Sequence, residues 1–246
     1  LGTGDEIHGW LSVVDGEIYR VTDIFDTFGT ALSHSFPSDA GSGGETTVET
    51  SLISSGWVIA SKANYGASVG TRMAFTTNGG GLWTNVLLDA DVNGAAGAID
   101  RNAIFMSPVT DGLAYVLART GTLGVPDIEL FRTLNHGASW SVSTAPGVTG
   151  GTVVRGPLMV PYNSNANERL FYYCDNDDLT NPSLQRSNTA GTGLVDITPS
   201  DAGVLYGSQR QYGIAAARNN RQKLILCGIG RPTALDPFQY IVFSSQ

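Results

Sequence analysis

The sequence predicts an all-β chain built from one repeated unit of four antiparallel strands. Three observations carry that prediction. Charged residues make up only 15% of the 246 residues while Gly occurs 31 times, a balance rich in turns and poor in exposed helix. Short apolar runs bounded by Gly, Asn, Asp, Ser and Pro recur along the chain, and no window has the period and caps of a long amphipathic helix. Finally, the stretch FRTLNHGASW at 131–140 spends Thr, Asn, Gly, Ser and Trp at offsets that return elsewhere.

The segment Thr76-Thr77-Asn78-Gly79-Gly80-Gly81-Leu82-Trp83 holds the Thr, Asn, Gly and Trp of Thr133 to Trp140 at an offset of 57 residues. Ser187 to Leu194 matches more loosely at an offset of 54, and Ser244 stands 57 beyond Ser187. Upstream, Val21 to Phe28 keeps an acidic residue and a terminal aromatic but no Gly. A fixed period of this length means stacked or radial repetition.

In chain order, the apolar runs 9–13, 56–60, 112–116, 170–174 and 224–227 read as the second strands of successive units. The runs 103–106, 157–160 and 213–217 read as first strands. A variable link leads to a third strand, then the Trp turn and a fourth strand. Four-stranded units repeated radially are the blades of a β-propeller. The chain is expected to be a single β-propeller domain over residues 1–246. Its fifth blade ends before a Trp turn and outer strand, so it is either a ring of about five blades closed by the amino-terminal residues or a segment of a larger propeller.

The pattern Ser/Thr-x-Asp/Asn-x-Gly-x-Ser/Thr-Trp resembles the Asp-box, or BNR repeat, of sialidases and related β-propellers. The fullest copy is 133–140 and the next is 76–83; the third, at 187–194, lacks both the acid or amide and the Trp. Asn78, Gly80, Trp83, Asn135, Gly137 and Trp140 are then structural residues. The amide side chain bonds nearby backbone N–H groups, Gly supplies a positive φ, and Trp buries a large area against its blade.

The resemblance implies that these turns lie on one face and the functional site on the other. That second face carries the links 61–72, 118–129, 175–184 and 228–239, which vary in length and sequence as binding loops do. Arg101, Arg155 and Arg210 lie 32, 32 and 34 residues before the first position of their repeats. Radial repetition would bring them near the axis, where guanidinium forks suit carboxylates. Sialidases use an arginine triad on a carboxylate, so this set resembles theirs. The other reading pairs the arginines with Asp100, Asp201 and backbone carbonyls. Glu45, from the preceding blade, and Tyr212, just after Arg210, complete the candidate ligand-binding set. The sialidase Arg-Ile-Pro motif is missing, Arg155-Gly156-Pro157 being its nearest echo, and no catalytic residue is assigned.

Several chemistries are set aside. A net charge of −8 and only two lysines, Lys62 and Lys223, argue against nucleic acid. No run is long and apolar enough to insert in a membrane. His8, His34 and His136 have no metal-ligand spacing, so neither metal nor cofactor is expected, and His136 reads as a solvent-facing turn residue. Gly66-Ala67-Ser68-Val69-Gly70 matches a nucleophile elbow by letters but lacks a following helix. Asp175, Asp177 and Asp178 read as a solvated loop, and Cys174 and Cys227 as unpaired thiols on neighbouring blades. The chain starts without Met, as a processed product or an excised segment does. The function expected is a non-catalytic recognition or structural module, extracellular or on a virion surface and within a larger assembly. It binds glycan or protein through the loop-bearing face. The alternative is a glycoside hydrolase of sialidase-like or related propeller type.

Overall fold

The computed structural model describes residues 9–13, 16–22, 29–36, 46–62, 72–87, 103–108, 110–122, 125–144, 170–174, 183–189, 192–196, 213–217, 220–230 and 239–244. These residues form strands and turns in five antiparallel meanders. Sheet 1 is β1 (Gly9–Ser12), β2 (Glu17–Thr22) and β3 (Gly29–Ser35). Sheet 2 is β4 (Thr46–Thr50), β5 (Val58–Lys62), β6 (Arg72–Thr76) and β7 (Thr84–Leu87). Sheet 3 is β8 (Ala103–Met106), β9 (Ala114–Thr122), β10 (Val125–Thr133) and β11 (Ser141–Thr144). Sheet 4 is β12 (Leu170–Cys174), β13 (Ser183–Thr189) and β14 (Thr192–Asp196); sheet 5 is β15 (Gly213–Ala217), β16 (Asn220–Gly230) and β17 (Gln239–Ser244).

Sheets 1, 2 and 3 stack face on face. All five residues of β5 are buried, because a middle sheet is covered on both sides and its strands need no polar alternation. Ala60 and Ala74 face sheet 1, where they meet Ile18 and Phe36. Trp57, Ile59 and Met73 face sheet 3, where they meet Met106, Ala114, Val116 and Phe131. The first strands lie side by side, β1 beside β4 and β4 beside β8.

One hydrogen bond recurs in all three sheets. The Gly16 carbonyl accepts from Phe36 N–H at 2.9 Å, Gly56 from Gly79 at 2.9 Å and Gly112 from His136 at 3.1 Å. All three glycines have positive φ, at 88°, 85° and 77°, which a Cβ would strain. This brace ties the turn before each second strand to the residues that follow each third strand. It also corrects the reading of the first repeat. Residues 9–13 hold a first strand, not a second, since β1 is a sheet edge beside β4 and Gly16 precedes β2. The Val21–Phe28 match therefore starts at the end of β2 remote from Gly16, and its residues 23–28 lie outside the described residues.

A second correction concerns the link at 118–129. Most of it is strand. β9 and β10 run nine residues each and stay paired as far as Thr122 opposite Val125, whereas β5 and β6 have five each. Likewise β16 continues to Gly230. Cys174 and Cys227 lie on strands of different sheets. The Asp175 to Asp178 run and the 66–70 segment lie outside the described residues.

Candidate functional site

The two Trp turns have the same internal wiring. Thr76 Oγ1 donates to Asn78 Oδ1 at 2.8 Å and accepts from the backbone N–H of Asn78 and Gly80. Asn78 Oδ1 also accepts from Leu82 N–H at 2.9 Å. Thr133 Oγ1 donates to Asn135 Oδ1 at 3.0 Å and accepts from Asn135 and Gly137, while Asn135 Oδ1 accepts from Ser139 N–H at 2.9 Å. Each threonine is 1% exposed. Its one donor and two acceptor sites are all used, as a buried hydroxyl requires. Trp83 and Trp140 are half-buried, packed on the two apolar clusters of sheets 1–2 and 2–3.

Each turn also docks on the sheet before it. A Cβ on Gly137 would lie 2.9 Å from the Phe75 ring, and one on Gly80 would lie 2.4 Å from Ser33 Oγ and 2.6 Å from the Trp10 ring. Around the first turn, Trp83 donates from Nε1 to Ser33 Oγ at 3.1 Å, Trp10 meets its ring edge-on, and His34 stacks on it at 5.1 Å. Burial pushes the His34 pKa down, and a hydrogen bond with Asn85 opposes this in part. Around the second turn, Trp140 Nε1 donates to Gly137 O within its own turn. Here His136, at φ 58°, reaches across instead. Its ring meets Trp57 of sheet 2 edge-on at 4.8 Å, and its Nε2 lies 2.9 Å from Asp111 Oδ1 in the β8–β9 turn of its own sheet. The expectation of a merely solvent-facing His136 is thus overturned: the ring is half-buried between two sheets. The hydrogen bond from His136 holds the Asp111 carboxyl below its usual range.

The turns before β5 and β9 carry a local signal of their own. Ser51 Oγ accepts from Ile53 and Ser54 N–H, and Ser107 Oγ accepts from Thr110 N–H. Ser-x-x-Ser/Thr-x-Gly at 51–56 and 107–112 was visible as a short side-chain-to-backbone turn.

The residues proposed to bind ligand, Glu45, Arg101, Arg155, Arg210 and Tyr212, lie outside the described residues. Their chain positions are instructive nonetheless. Glu45 immediately precedes β4, Arg101 stands two residues before β8, and Tyr212 immediately precedes β15. Among the described residues no group of three His, Cys, Asp or Glu could hold a metal ion, and no helix is long and apolar enough to cross a membrane.

No family model and no curated protein sequence matches the chain. The fold is similar to that of solved structures, two of which follow. An ancestral GH74 enzyme matches over 99% of this chain and 30% of its own, at 17% identity and a TM-score of 0.57. A GH74 xyloglucanase from Xanthomonas campestris matches over 94% of this chain and 36% of its own, at 12% identity and a TM-score of 0.54. The chain therefore spans about a third of the length of either. At such identities the likeness is one of fold: antiparallel sheets in the arrangement of propeller enzymes.

Proposed function

We propose that this chain is a β-propeller of Asp-box type, of about five blades or part of a larger ring, that binds glycan through the face opposite its Trp turns. The observation that carries the glycan reading is the likeness of nearly the whole chain to two glycoside hydrolases, one of them a xyloglucanase. The choice of face is supported by the β9–β10 hairpin, with nine residues in each strand, which reaches away from the turn end of sheet 3. Strand extensions and loops on one end of a rigid repeat are where such scaffolds place recognition. Arg101, Arg155 and Arg210, with Glu45 and Tyr212, are the proposed ligand contacts.

Recognition without turnover is the first reading, and glycoside hydrolysis is the second, favoured by the same likeness. One experiment separates them. The chain is applied to an immobilised glycan panel that includes xyloglucan and acidic oligosaccharides, with release of reducing ends followed in parallel. Retention without release supports a recognition module, and release supports a hydrolase. A chain that is neither retained on any glycan nor releases reducing ends overturns the glycan reading. Arg101→Ala, Arg155→Ala and Arg210→Ala should each weaken retention of acidic glycans while leaving thermal unfolding unchanged.

A further inference from the structure

The β6–β7 turn contains a chemically labile pair, Asn78 followed by Gly79. In an Asn–Gly pair the glycine nitrogen can attack the asparagine side-chain carbon, because no Cβ on the glycine hinders its approach. A bond forms between Gly79 N and Asn78 Cγ, the Cγ–Nδ2 bond breaks, and ammonia leaves carrying the amide proton. Water then opens the five-membered succinimide to aspartate or isoaspartate. Nothing is oxidised or reduced, and water is the only co-reactant.

The structure supplies access but withholds freedom. Asn78 is exposed, and nothing lies within 4 Å of the space a Gly79 Cβ would take. Yet Gly79 N–H is committed to the Gly56 carbonyl at 2.9 Å, which opposes the deprotonation that attack requires. Asn78 Oδ1 is held by Thr76 Oγ1 and Leu82 N–H, which fixes Cγ within the turn. Attack needs both restraints released together.

We infer that Asn78 is a deamidation site gated by the fold, shielded while the 51–56 and 76–83 turns are joined through Gly56 and reactive once they part. The two products differ in consequence. An aspartate side chain at position 78 keeps both acceptor roles and matches the acid form of the repeat pattern. An isoaspartate adds a methylene to the backbone between Thr76 and Gly79, and so displaces Trp83 from Ser33. Asn135 has the equivalent wiring, but His136 follows it, so its Cβ hinders the same attack.

The test uses the full chain in mildly alkaline buffer, folded or in urea, with deamidation located by peptide fragmentation. Asn93–Gly94 is the other Asn–Gly pair in the sequence and calibrates the unfolded rate. In urea Asn78 should react as fast as Asn93, with Asn135 far behind. In the folded chain Asn78 should react at least about tenfold more slowly, because reaction waits on local opening. Thr76→Val, held below its own unfolding transition, should recover much of that factor. If this variant does not fold, hydrogen exchange at the Gly79 amide of the native chain replaces it, and deamidation should track the opening so measured. Equal folded and unfolded rates at Asn78 would overturn the inference, as would no reaction at Asn78 in urea.

Discussion

The 76–83 and 133–140 turns share their inner wiring and differ in how they hold the sheet before them. In the first, the tryptophan reaches out: Trp83 bonds Ser33 of sheet 1 and stacks with His34. In the second, the tryptophan stays at home on Gly137, and His136 makes the crossing to Trp57 while its Nε2 bonds Asp111 of its own sheet. The local turn depends on Thr, Asn and Gly at fixed positions. The joint between sheets depends on whatever occupies the remaining positions, and it is solved twice in different ways. Sheet 2 is the partner common to both joints.

The largest effect expected from this difference is at the tryptophans. Trp83→Ala should cost about 3 kcal/mol, the low end for truncating a Trp because the ring is only half-buried. Trp140→Ala should cost about 1 kcal/mol less, since both lose one indole hydrogen bond but only Trp83 also loses ring contacts with Trp10 and His34. Urea unfolding of the two variants measures this directly. Equal costs would mean that the rings of Trp10 and His34 contribute nothing to the joint.

Smaller effects separate two glycines of one motif. Gly137→Ala combines a positive φ of 93° with a Cβ pressed on the Phe75 ring, and should cost roughly 2–3 kcal/mol. Gly79→Ala meets open space at a φ of 68°, and should cost only about 1 kcal/mol for the left-handed backbone. His136 already occupies the matching position with a φ of 58°, so Gly79→His should be tolerated as well as Gly79→Ala. Thermal unfolding of the three variants checks the ranking, and a Gly79→Ala cost as large as that of Gly137→Ala would break it.

These glycines also show what could be read from the sequence. The Trp turns were legible because their bonds span four residues, so Thr, Asn and Gly leave a local pattern. The strands β5, β8, β9 and β15 were legible as apolar runs between turn residues. Sheet 1 was misphased because its brace falls on Phe36, without the Asn, Gly and Trp that mark the other two turns. The β9–β10 arm reads as a loop from sequence, yet Gly121 and Pro126, both poor strand residues, sit opposite each other in its ladder. Contacts between sheets, such as Gly137 on Phe75, join residues 62 apart with no periodic signal. Of the candidate site, the turn residues can be weighed against geometry, whereas Arg101 and Arg210 rest on their spacing and on the strands they precede, and Arg155 on its spacing.

The smallest effect is one of pH, and it distinguishes the joints by the order in which they loosen. His34 is half-buried against Trp83 and Phe36, and burial pushes its pKa below the ordinary value. The unfolded chain therefore takes up this proton first as pH falls below about 6.5, and stability is lost between there and the lower folded value. Asp111 behaves in the opposite sense. Its carboxyl is held low by His136, so what it contributes is present above the unfolded value of about 3.9 and is lost only as pH falls further. Its exposure keeps that contribution small. Acid should thus loosen the sheet 1–2 joint before the sheet 2–3 joint. Hydrogen exchange at about pH 5.5 should rise in β2 and β3 relative to neutral pH, corrected for intrinsic rates, while β9 stays protected. His34→Gln has no group to protonate in that window and should flatten the change in sheet 1. If β9 opens first, or if His34→Gln leaves the acid response of β2 and β3 intact, the imidazole is not what sets the strength of the first joint.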